Sequence, residues 1–271
     1  MLVLIIETLK RPDKVFRRLR IFNLVMGFLH LSQAVVMFFI ASDSSLPITT
    51  NYLSPNPGAQ DFAATSLEKI YDIQLAPLII GFLLLSSVAH FLLTLPGIYE
   101  WYVANLKKER NYARWYEYAL SSSLMIVVIA LLCGMYDLGS LILIFFLNAS
   151  MNLFGLLMEQ YNSLQKETKP WKKPNWTAYI FGCIAGIVPW IVLGLYFFTA
   201  ISEVADIVPD FVYAIFYSLF IFFNIFALNM FLQYKQVGPW KNYLFGEKVY
   251  IVLSLVAKSL LAWQVFGGTL R

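Results

Sequence analysis

Charge is scarce in this sequence. Asp, Glu, Lys and Arg make up 13% of its 271 residues, whereas soluble domains carry about 25%. Hydrophobic residues reach 59%. A soluble fold of this length has too little interior to hide so much apolar surface, so the chain is expected to be a polytopic membrane protein. Cysteine is rarer still. Cys133 and Cys183 each fall inside an apolar stretch, which excludes a disulfide framework and leaves two isolated small hydrophobes. The two histidines, His30 and His90, lie in different apolar stretches with no cysteine nearby, so no metal site is expected. There is no phosphate-binding loop and no hydrolase motif, so nothing points to an enzyme. The opening residues, "MLVLIIETLKRPDKVFRRLR", place apolar residues before charged ones. That order is the reverse of a cleavable signal peptide, and residues 1–18 read instead as a cytoplasmic or interfacial amphipathic segment. No linker or usable repeat divides the chain, so residues 1–271 are expected to form a single domain.

What is present is long apolar runs. About 20 such residues cross a bilayer as a helix, and seven stretches qualify: residues 19–41, 74–95, 112–134, 138–160, 176–200, 209–234 and 246–269. Short polar connectors separate most of them. The exception is the first outer loop, residues 42–72, which is long enough to have structure of its own. Its Thr/Tyr/Leu run between Pro and Asn predicts a short β-hairpin. The fold class is therefore an all-α bundle of seven membrane helices.

Lys and Arg set the orientation. Lys10, Arg11, Lys14, Arg17, Arg18 and Arg20 precede the first span, and Lys107, Lys108 and Arg110 follow the second. Lys166, Lys169, Lys172 and Lys173 follow the fourth, and Lys235, Lys241 and Lys248 flank the connection from sixth to seventh. All these lie on the N-terminal side of the membrane. The other side holds Lys69 and Arg271 with Asp137, Glu203 and Asp206. The positive-inside rule then places the N-terminus in the cytoplasm and the C-terminus outside a plasma membrane. Topology accounts for the basic residues, so nucleic acid is not an expected partner.

A few ionisable residues remain inside the spans: Arg114, Glu117, Lys258, His30 and His90. Glu159, Asp210 and Glu247 lie near span ends, where a side chain is expected to snorkel to water. A cation at the bilayer centre costs roughly 2.5–3.5 kcal/mol on insertion scales, so Lys258 requires a partner. Glu117 is the one deep carboxylate in this reading, and Lys258 and Glu117 reach similar depth on spans running the same way. Arg114 and Glu117, three apart, share a helix face and are expected to pair. Ser121 follows Glu117 by one turn, and Ser254 precedes Lys258 by one turn. A lysine amine condenses with an aldehyde to a Schiff base whose protonated form needs a counterion. Met125, Met151, Trp190, Phe223, Trp263 and Phe266 are candidates to line a slot for a long polyene. A purely structural Lys–Glu pair, or one on an ion or substrate pathway, is equally consistent with these residues.

These motifs resemble the heliorhodopsin family. "SLVAKSLLAWQVFGG", residues 254–268, is similar to that family's seventh helix with its retinal-binding lysine, and "ARWYEYALSSSLMI", residues 113–126, to its third helix. "LNASMNLFGLLMEQYN", "GFLHLSQA" and "LLLSSVAHFLL" resemble its fourth, first and second helices. The fifth and sixth spans match weakly. The resemblance implies a rhodopsin-like bundle carrying all-trans retinal on Lys258, with Glu117 as counterion and Arg114, Ser121 and Ser254 near the Schiff base. It implies a polar inner cavity of His30, His90, Gln33 and Ser86, where the histidines are candidate transient proton acceptors. It further implies a retinal pocket including Asn148, Met151, Gly155 and Trp263, with Met125 and Phe223, where the bare Gly155 leaves room for the chromophore. A homodimer contacting through the first outer loop is implied as well.

Function follows from what the site lacks. Many pumps carry a second aspartate one turn before the lysine, where Ser254 stands here. The expectation is a light sensor with a slow photocycle and an unidentified cytoplasmic signalling partner. The alternatives are a light-driven proton or ion pump, and a transporter or enzyme using the Lys258–Glu117 pair without retinal.

Overall fold

The computed structural model describes residues 14–54, 64–204 and 209–270. Residues 1–13, most of the expected N-terminal segment, lie outside that set, as do 55–63 of the first outer loop and the side chains of Glu203, Asp206 and Arg271. Seven helices are long and apolar enough to cross a membrane. They are α1 (Lys14–Ile40), α2 (Leu75–Leu92), α4 (Tyr112–Leu132), α5 (Leu138–Thr168), α6 (Thr177–Val204), α7 (Asp210–Tyr234) and α8 (Tyr243–Thr269). A short helix, α3 (Ile98–Leu106), follows the second span, and a 3-10 turn (Gly238–Lys241) precedes the last. Gly97, at φ 82°, makes the turn into α3 in a conformation that favours glycine.

The helices pack in order around the bundle: α1 on α2, α2 on α4, α4 on α5, α5 on α6, and α7 on α8, which returns to α1. α6 and α7 meet through aromatic rings, with Trp190 edge-on to Phe216, Phe220 and Phe223. The expected hairpin is present and longer than short. Strands β1 (Ser45–Ser54) and β2 (Ala64–Gln74) pair antiparallel from Ser45↔Gln74 onward, with a bulge between Ile48 and Thr49. The hairpin is strapped to the bundle. Ile48 is fully buried, Thr49 N donates to Tyr136 O at 2.9 Å, and Ser42 N donates to Leu270 O at 2.9 Å.

The interior divides along the bundle axis. Toward the hairpin end lies a large apolar cluster that includes Met125, Ile126, Ile129, Leu261, Ala262 and Val265. At the opposite end Phe16 and Leu19 of α1 pack with Tyr99, Tyr102 and Leu106 of α3 and with Ile251 of α8. α3 thus lies as a lid over the ends of the spans away from the hairpin. The polar groups concentrate between these two clusters.

Candidate functional site

Lys258 sits near the middle of α8, and its side chain leans back toward the helix N-terminus, as helical side chains do. Its Nζ donates to Ser254 Oγ at 2.7 Å and to Glu117 Oε1 at 3.0 Å. Glu117 Oε1 also accepts from Ser86 Oγ at 2.6 Å. Lys258, Ser254 and Ser86 are all buried. The ammonium further stands 5.2 Å from the Tyr118 ring centroid. Three spans (α2, α4 and α8) thereby converge on one ion pair, as desolvated charges require. Ser121 is fully buried one turn beyond Glu117, and its hydroxyl makes no hydrogen bond of good geometry.

Arg114 does not pair with Glu117. Its two terminal nitrogens donate instead to Glu159 and Glu247, in hydrogen-bonded ion pairs. These glutamates do not snorkel to water: they are 0% and 1% exposed. Each carboxylate has further donors. Glu159 Oε2 accepts from Asn111 N at 2.9 Å and Trp115 Nε1 at 2.8 Å, and Glu247 Oε1 accepts from Asn111 Nδ2 at 2.6 Å. The guanidinium carbon lies 4.0 Å from the Tyr250 ring centroid and 4.7 Å from that of Trp115. Glu117 is therefore not the one deep carboxylate. Sequence spacing held the signal for both others. Glu247, Ser254 and Lys258 lie on one face of α8, and Asn148, Asn152, Gly155 and Glu159 form an i, i+4, i+7, i+11 row on α5.

The histidines do meet. His30 and His90 stack with ring centroids 5.7 Å apart, and His90 Nδ1 lies 2.8 Å from Asn23 Oδ1. His30 is fully buried with no hydrogen-bond partner at either nitrogen. A small cavity links His90, but not His30, to the ion clusters, lined among others by Asn23, His90, Glu117, Tyr102, Arg114 and Glu247. Gln33 lies elsewhere. Its amide oxygen accepts from Trp263 Nε1 at 3.1 Å, and Trp263 is 40% exposed on the outside of the bundle.

A second cavity begins at Lys258 and runs between α4, α5 and α7, past Met125, Met151 and Phe223. It continues into a third, with which it shares Tyr118, Met151, Asn152, Phe223 and Phe226, and which reaches Trp190 and Gly186 on α6. The two form one elongated, largely apolar slot with a buried amine at its end. Trp115, Tyr118 and Asn152 line it without having been expected from sequence. Gly155 lines it too, but its bare face is taken by a protein ring: a Cβ there would lie 2.3 Å from Trp115 Cζ3. Asn148 lines neither part. Its amide donates to Ser122 at 2.8 Å and Ser123 at 3.1 Å.

A heliorhodopsin family model matches residues 19–270 of the sequence. The chain belongs to the heliorhodopsin family. Family membership implies a retinal chromophore in a multi-pass membrane protein. Among solved structures, the fold is similar to that of a light-driven proton pump from Leptosphaeria maculans. The TM-score is 0.59 at 15% identity, over 94% of this chain and 96% of that one. That likeness shows the heliorhodopsin fold here to be rhodopsin-like. No curated protein matches the sequence. The residues fit the chromophore that membership implies, because the buried amine closes one end of a long slot of matching chemistry.

Proposed function

We propose that the protein is a light sensor that carries all-trans retinal on Lys258 and moves no ion across the membrane. The observation that carries this reading is the one-sided placement of polar groups around Lys258. Glu117, His30, His90, Asn23, Arg114, Glu159 and Glu247 all lie level with it or toward the end away from the hairpin. Toward the hairpin the interior is apolar, and among the described residues no buried carboxylate or histidine lies there. A proton that leaves the Lys258 nitrogen therefore has acceptors in one direction only.

Bound there as a protonated Schiff base, retinal supplies a light-isomerisable chain and an acidic proton. The protein supplies the rest. Glu117 balances the charge on the nitrogen, and Ser86 and Ser254 fix the two partners. The slot past Tyr118, Met151 and Phe223 to Trp190 holds the polyene and excludes water. The stacked His30 and His90, the latter lining the same cavity as Glu117, receive the proton, and its slow return sets a long photocycle.

Two measurements test the reading. Adding all-trans retinal to the purified protein should give a visible band, absent in Lys258→Ala and Lys258→Arg; a colourless wild type would sink the chromophore assignment. Illuminated liposomes should then show no pH change. A change abolished by protonophore would establish a pump instead, a reading to which the cavity from Glu117 to Glu247 lends half a pathway.

We also infer a plasma-membrane protein with its N-terminus in the cytoplasm, from the distribution of Lys and Arg. Labelling of an added C-terminal cysteine by an impermeant reagent on intact cells supports this; labelling only after lysis reverses it. The exposed Leu67, Ile70 and Tyr71 of β2 support a homodimer through the hairpin, with a cytoplasmic partner taking the signal.

A further inference from the structure

One cleft serves none of this chemistry. It opens at the end of the bundle away from the hairpin, has a volume of about 290 Å³, and is walled by the ends of α5 and α7, the α5–α6 connection and the 3-10 turn. Lys166, Lys172 and Lys241 line it against a single carboxylate, Glu109, which Lys166 already holds at 2.5 Å. Among the described residues, Lys172 and Lys241 have no carboxylate partner. The walls are preformed. Asn162 clamps the connection through Asn175, donating to its carbonyl at 3.0 Å and accepting from its N–H at 2.7 Å, and Gln165 Nε2 donates to Lys173 O at 2.8 Å.

We propose that this cleft binds a small phosphate-bearing anion. Topology alone asks for lysines on this side of the membrane, not for two without a carboxylate partner lining one concavity whose walls are held by hydrogen bonds. Lysine ammoniums act as compact point charges suited to phosphate, and Trp240 and Tyr243 in the wall suit the organic part of a phosphate monoester. The cleft also connects inward. Tyr243 lines it while its hydroxyl donates to Glu159 Oε1 at 3.3 Å, and Glu159 holds Arg114, one turn before Glu117 on α4. Occupancy is thus linked to the helix that carries the counterion, a step that rests on the retinal reading; binding itself does not.

The test is calorimetric titration of the full chain with adenosine monophosphate and with inorganic phosphate at fixed ionic strength. It is run in nanodiscs of neutral lipid and of anionic lipid. Saturable one-site binding in neutral discs is expected, weakened at least tenfold in Lys172→Gln/Lys241→Gln, and in the same direction in Lys172→Glu alone. Binding equal in both discs assigns a soluble phosphate, and binding lost in anionic discs assigns a lipid headgroup. No saturable heat in neutral discs, or unchanged affinity in both variants, overturns the proposal. A coloured protein that does not bind defeats this proposal alone, and a colourless one that binds defeats the retinal reading alone.

Discussion

Arg114 and Glu117 stand one turn apart on α4 and answer to different partners. Arg114 is held by Glu159 and Glu247, and Glu117 by Lys258 and Ser86. Substitutions should separate the two. Arg114→Ala leaves two buried carboxylates facing each other without a cation, and removing one member of a buried ion pair costs about 3–5 kcal/mol. It should therefore lower the thermal midpoint and the yield of folded protein while the visible band of what survives stays near its wild-type position; a large band shift at normal stability would place Arg114 with the counterion. Glu117→Gln should do the reverse. It removes a charge beside the Lys258 nitrogen, so the band should move to longer wavelength in a protein that still folds, and an unmoved band would take Glu117 out of the counterion role. Lys258 was legible in the sequence because it interrupts an apolar run far from its ends, and Glu117 because it is a carboxylate more than a turn inside its span. Glu159 and Glu247 were not, since nearness to a span end reads as nearness to water. The i, i+4 rows they share with buried neighbours were the better guide.

Elements explain why that reading of the glutamates fails. α5 runs eight residues past its expected end at 160, to Thr168, and α8 starts at Tyr243 rather than 246. α3, invisible as a span because it is only 9 residues long, folds across the same end. Protein rather than water covers the span ends, and the carboxylates stay dry. The spans themselves were legible to within a few residues in most cases, because a hydrocarbon thickness fixes their length. The hairpin was legible as a loop with turn residues, but not its anchoring, which depends on Ile48 fitting under the strands. Ile48→Ala should destabilise the protein by about 2–5 kcal/mol, as burial of a large aliphatic predicts, read as a lower thermal midpoint. Leu67→Ala, at a site 70% exposed, should leave the midpoint of the monomer unchanged and weaken self-association in a cross-linking or sedimentation assay. A full-strength dimer in that variant and in Ile70→Ala would remove this face of the hairpin from the interface.

At the scale of the molecule, transport needs a continuous route, and one residue cannot make it. Ser254 stands one turn before Lys258, where a second carboxylate would give the nitrogen another acceptor. Restoring one with Ser254→Asp changes the immediate surroundings of the lysine and nothing beyond them. On the hairpin side the proton would still meet Met125, Ile126, Ile129, Leu261 and Val265, all nearly or fully buried, and an unpaired charge among such groups is strongly disfavoured. On the other side the Arg114 cluster still places a fixed cation, bonded on both sides, beside the cavity that leads from Glu117. Ser254→Asp should therefore shift the absorption band, because a carboxylate joins the counterion, and still give no light-driven pH change in liposomes. A sustained, protonophore-sensitive change in that variant would show that the serine alone, and not the apolar half of the bundle, separates this architecture from a pump.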